Sequence, residues 1–119
     1  MSAPHGLRFE DTRFWVMHRR REYGPFDYEW SRDFDGLELC YQGRKFGEIC
    51  SEDEIFADLA EFRLPQRVVE VASVVFGATL RSMLQGDSRE ERKRFLAMQL
   101  AEHGLEAFAP RSGNRPSKG

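Results

Sequence analysis

The chain changes character at one point. Up to Cys50 it is aromatic, interrupted every few residues by turn formers, and alternates with the period of a strand; from Ser51 to about Gly104 its apolar residues recur at helical spacing, with almost no linker between. Strands first and helices after, within 119 residues, leave room for one core. The expected fold is therefore a single α+β domain, a three- or four-stranded antiparallel sheet (a meander) followed by three helices packed on one face. Its expected bounds are 13–109, with 13–50 β-rich and 51–109 helical. A flexible N-terminus (1–12) and a flexible basic tail (110–119) flank it.

In the strand half, Phe14, Val16 and His18 alternate with Trp15, Met17 and Arg19, which predicts a strand over Arg13 to Arg21 with both faces partly covered. Tyr23-Gly24-Pro25-Phe26 is expected to break it, because glycine supplies turn conformations and proline lacks a ladder donor. Asp27-Tyr28-Glu29-Trp30 then alternates as a half-buried second strand, ended by Asp33-Phe34-Asp35-Gly36. The clearest hairpin lies between Leu37 and Cys50: Leu37, Leu39 and Tyr41 share a face, Gln42-Gly43-Arg44-Lys45 turns the chain, and Phe46 to Cys50 returns. A loop of two to four residues leaves its register open.

In the helical half, Ser51-Glu52-Asp53-Glu54 reads as a capping box, and Ile55, Phe56, Leu59 and Phe62 as the stripe of a helix stopped by Arg63-Leu64-Pro65. A second helix, Gln66 to Leu84, is apolar nearly all round and is expected to be the central buried element. Its valine run has strand propensity, but length, Pro65 at its start and Gly86 at its end favour helix. Asp87-Ser88 with Glu90-Glu91 opens a third, ending at Gly104, where Leu105 can close onto Leu100.

Composition excludes several classes. The formal charge of -2 offers no bulk attraction to nucleic acid or acidic membranes, so nucleic acid is an unfavoured partner. No run reaches the ~18 apolar residues of a spanning helix, and charges occupy the start where a signal peptide is apolar, so the expectation is a cytoplasmic protein with no membrane partner. Cys40 and Cys50 fall about 10 Å apart in the hairpin, too far for a disulfide, and are expected as thiols.

No catalytic set, metal cluster or cofactor motif stands out, and none is expected. His5, His18 and His103 lie in no recognisable pattern; His18 with Cys40, Cys50, Tyr28 or Glu48 is the one combination that a pocket between sheet and helices could assemble into an enzyme site. Glu54, Asp58 and Glu61 share a helix face, and Arg89, Arg92, Lys93 and Arg94 another, both read as solvated surfaces. Arg19, Arg20 and Arg21, with Arg13 near, are the candidate anion-binding residues, and they carry the alternative reading of a weak nucleic-acid binder. The candidate ligand-binding residues are Trp15, Tyr23, Pro25, Phe26, Tyr28 and Trp30, more aromatic surface than a short hairpin buries alone and suited to an extended peptide.

Phe14-Trp15-Val16 followed after a polar stretch by Gly24-Pro25-Phe26 resembles the opening of bacterial GYF-type modules, small domains whose best-known members bind proline-rich peptides. The resemblance spans Phe14 to Phe26 and implies that Trp15, Pro25 and Phe26 face the ligand. Those modules continue into a helix, whereas Asp27 to Trp30 alternates like a strand and no GYF tripeptide occurs. The expected function is a small non-enzymatic interaction module, acting through peptide binding at the aromatic strand surface or through homodimer formation supported by the valine-rich helix and the sheet, with an apolar patch as the interface.

Overall fold

A computed structural model describes residues 4–33, 35–50, 55–57 and 62–109. It is an α+β structure in which every strand pairs antiparallel with its sequence neighbour: β1 (Gly6–Glu10), β2 (Arg13–His18), β3 (Arg21–Ser31), β4 (Gly36–Tyr41), β5 (Arg44–Ile49) and β6 (Ile55–Ala57). Two α-helices follow, α1 (Gln66–Gln85) and α2 (Arg89–Glu102), then a single 3-10 turn at Glu106–Phe108.

Cross-strand partners share a face, so the register shows which residues the helices cover. Phe14 pairs with Phe26 and Phe26 with Tyr41; Leu37 pairs with Ile49. All five are buried. Two bulges bring further aromatics to that side. Phe14 pairs with Phe26 but Val16 with Tyr23, so β3 spends one more residue than β2 over this stretch. Leu39 pairs with Gly47 and Cys40 with Lys45, which leaves Phe46 as the additional residue of β5, turned into the core. The first bulge is anchored to the β4–β5 turn: the Gln42 backbone N–H donates to the Pro25 carbonyl at 2.8 Å, and Gln42 Nε2 to the Gly24 carbonyl at 3.1 Å.

Helix α1 lays Val68, Val71, Ala72, Val75, Phe76 and Leu80 across β2 to β5. Phe76 meets Phe14 edge-on at 5.1 Å, and Phe14 stacks on Phe26 at 5.1 Å, an arrangement aromatic quadrupoles favour. Gly86 stops the helix in the left-handed conformation (φ 72°), with the Asp87 N–H returning to the Ser82 carbonyl. Ser88 opens α2 with a full capping box, accepting from the Glu91 N–H at 3.2 Å while Glu91 accepts from the Ser88 N–H at 2.8 Å. Leu105 closes its far end, donating to the Leu100 carbonyl at 2.7 Å.

Four expectations are corrected. Gly6–Glu10, expected to be loose, is β1, and its signal is visible in Leu7 and Phe9 alternating with Arg8 and Glu10. The chain turns at Arg19-Arg20, both with positive φ, and not at Tyr23 to Phe26, which is a bulge inside β3. Ile55–Ala57, expected in the first of three helices, pairs with β5 instead. An uncovered β5 edge would leave a row of unpaired N–H and C=O groups, and satisfying them outweighs a helical pattern only two turns long. The sheet accordingly has six strands and the described residues two α-helices. The capping box at Ser51 to Glu54, the carboxylates Asp58 and Glu61, and the tail at 110–119 lie outside the described residues. Finally, α1 is not buried all round: Val69 and Val74 are half-buried, and Leu84 is exposed.

Candidate functional site

The expected aromatic groove is divided by the sheet itself. Trp15 stands on the face away from the helices, where the Arg8 guanidinium lies 3.8 Å over its ring and is itself held by Glu22 through hydrogen bonds of 2.9 and 3.0 Å. Phe26 is wholly enclosed by the core and has no surface to offer a ligand. Tyr23 is half-buried against the core with Arg21 5.4 Å over its ring, and Pro25 is half-buried in the bulge. Tyr28 and Trp30 pair with Leu39 and Leu37 and so share the helix-facing side, where Trp30 is exposed. The six residues are close along the chain, yet strand alternation sends Trp15 and Trp30 to opposite sides.

The arginine run divides likewise. Arg19 and Arg20 form the β2–β3 turn, steadied by the Arg20 N–H donating to the Pro4 carbonyl at 2.8 Å; Arg21 begins β3, and all three are exposed. Beside the turn lies a cleft of about 670 Å³ that contains His5, His18, Arg19, Arg67 and Glu70. The two imidazoles stack at 5.1 Å, with Phe108 5.1 Å from His5. Desolvation, then the nearness of His5, Arg19 and Arg67, lowers the His18 pKa, so the ring is held neutral.

The scattered enzyme site does not assemble around His18. Cys40 and Glu48 belong to the opposite face, and Tyr28 lines a different pocket. Burial, followed by Glu29, Asp27 and Glu38, raises the Cys40 pKa, which keeps the thiol protonated and poorly nucleophilic. On that same open face Glu29, Glu38 and Glu48 stand side by side across β3, β4 and β5, with Lys45 Nζ 3.5 Å from both Glu38 and Glu48. Cys40 and Cys50 are both thiols.

Two concave features were missed in the sequence because each forms only where separate elements pack together. One is a groove of about 460 Å³ between α1 and α2, with Val69, Val74, Gly77 and Ala78 on one side and Phe95 and Gln99 on the other. The sequence signal for it was the excess of apolar residues in α1. An 18-residue window of that helix has a mean hydropathy of 1.3, enough by length and composition to cross a membrane, and 44% of the window is buried. The other is a smaller, half-open pocket lined by residues of β1, β2, β3, α1 and α2. Comparison of the chain with protein-family models, curated proteins and solved structures finds no match.

Proposed function

We propose that the protein is a non-enzymatic interaction module that receives an apolar segment of a protein partner in the groove between α1 and α2. The observation that carries this reading is the groove along α1, in which Val69 and Val74 are only half-buried. From Gln66 to Arg81 the groove follows the helix for about 22 Å at 1.5 Å per residue. A trough of that length suits a helix or extended peptide better than a compact metabolite. Small residues at Ser73, Gly77 and Ala78 let a second backbone approach, and Glu70, Arg81 and His103 provide a polar rim. Pairing of two copies is the same reading with a second chain as partner, and light scattering on the 13.9 kDa chain separates the cases.

A photocrosslinking amino acid at Gln99 tests it in the native cell. One discrete adduct is expected, and it should disappear with Val74→Glu while the circular dichroism of that variant stays that of the wild type. An adduct pattern identical in the two proteins refutes the groove as the contact.

A further inference from the structure

We propose that the half-open pocket lined by the first three strands and the two helices is a binding site for a small amphipathic carboxylate, a compact apolar or aromatic body bearing one anionic group. The pocket has a volume of about 230 Å³, below the ~300 Å³ at which drug-sized sites begin, so its occupant is small. Phe14, Tyr28, Ala78 and Leu96 form an apolar interior. This site is independent of the α1–α2 groove, which contains different residues of both helices apart from Ala78.

The second observation that points to a ligand is Ser82. It is among the residues lining the pocket, is 1% exposed, and its Oγ has no hydrogen-bond partner. Three residues earlier Thr79 shows the usual solution for a hydroxyl on a helix, with Oγ1 donating to the Val75 carbonyl at 2.7 Å. Ser82 has no such bond. An enclosed hydroxyl without a partner costs about 1–3 kcal/mol, which a ligand polar atom would recover.

Charge decides the class. Arg89, Arg92 and Lys93 line the pocket from α2, spaced i, i+3 and i+4 so that one helix face presents all three. Asp11 is the one carboxylate that lines it, against those three cations. Arg92 also lies near enough to Tyr28 to oppose the upward shift that burial imposes on the phenol, which stays protonated and able to donate. An apolar interior with hydroxyl donors, entered past arginines, is complementary to a carboxylate on a greasy body and not to a cation or a sugar.

The test uses benzoate, phenylacetate and hexanoate as probes, with benzyl alcohol and inorganic phosphate as the neutral and non-apolar controls, read by amide chemical shifts on the full chain. At least one carboxylate should produce saturable shifts at Thr79, Ser82, Arg92 and Leu96, with benzyl alcohol and phosphate at least about tenfold weaker. Arg92→Gln, a change at an exposed position that leaves the core untouched, should weaken the best probe by about tenfold, and Ser82→Ala by several-fold without loss of the folded spectrum. Arg19→Gln, outside the pocket, should change nothing. Absence of saturable shifts at these residues for every carboxylate up to about 10 mM, equal binding of the alcohol, or unchanged affinity in Arg92→Gln overturns the proposal.

Discussion

Replacing Gly24 by alanine is expected to be among the costlier one-carbon changes this molecule can suffer. A Cβ on Gly24 would sit 2.7 Å from Cδ1 of Trp15 and 3.0 Å from the Phe14 carbonyl oxygen, closer than such atoms approach. The indole can retreat only by leaving the Arg8 guanidinium stacked 3.8 Å above it, and the carbonyl belongs to β2 and cannot retreat. Gly24 also has φ 149°, a conformation residues with a Cβ rarely adopt. The backbone term is about 1–3 kcal/mol and the forced repacking about as much again, so the sum is about 2–6 kcal/mol. Against the ~5–15 kcal/mol of a typical domain that is a substantial fraction. At the middle of both ranges, a loss of about 4 kcal/mol over a urea slope of about 2 kcal/mol/M, the unfolding midpoint should fall by about 2 M. Gly43→Ala isolates the backbone share: φ is 83° there, but nothing lies within 4 Å of the added carbon, so about 1 kcal/mol is expected. Equal losses in the two variants would refute the claim that the Trp15 and Phe14 contacts dominate at Gly24.

Two further outcomes follow from the chemistry described. The folded chain holds His18 below its ordinary value of about 6.5, so the unfolded state binds the proton first. Stability is therefore fully present above about pH 6.5 and falls as the pH drops through the lowered folded value, in surroundings that hold His5, Arg19, Arg67 and Glu70. Denaturant melts from pH 7.5 to 5 should show that slope and lose most of it in His18→Phe; an unchanged slope counts against the assignment. Ser88→Ala removes the hydroxyl half of the α2 capping box and should cost about 1 kcal/mol, with amide exchange rising first in the opening turn of α2; uniform loss across the sheet instead would show the cap is not local.

Much of the scaffold was legible in the sequence. Leu37, Leu39 and Tyr41 share the buried face as their spacing required, α1 begins after Pro65 and ends at Gly86, and Ser88 with Glu91 opens α2. Local chemistry determines such features, and local chemistry can be read. Ile55 and Phe56 were misread because their pattern fits either structure and the choice belonged to the open edge of β5, a partner invisible in a short window. The turn was misplaced because Arg19-Arg20 is an unusual pair for left-handed backbone, held there by Pro4 and His5 from fourteen or more residues away. The site fared worse for the same reason. Trp15 and Phe26 looked like neighbours in the sequence, whereas Ser82, Tyr28 and Arg92 become neighbours only when the helices fold back over the strands.

The row of Glu29, Glu38 and Glu48 across three neighbouring strands has a use that no ligand is needed to explain. A sheet that the described residues leave open on one side invites a second sheet to stack upon it, the first step toward precipitates and fibrils. Two such rows brought face to face would repel, and Lys45 tempers the repulsion within one molecule without abolishing it between two. The molecule thus has one side guarded against its own kind.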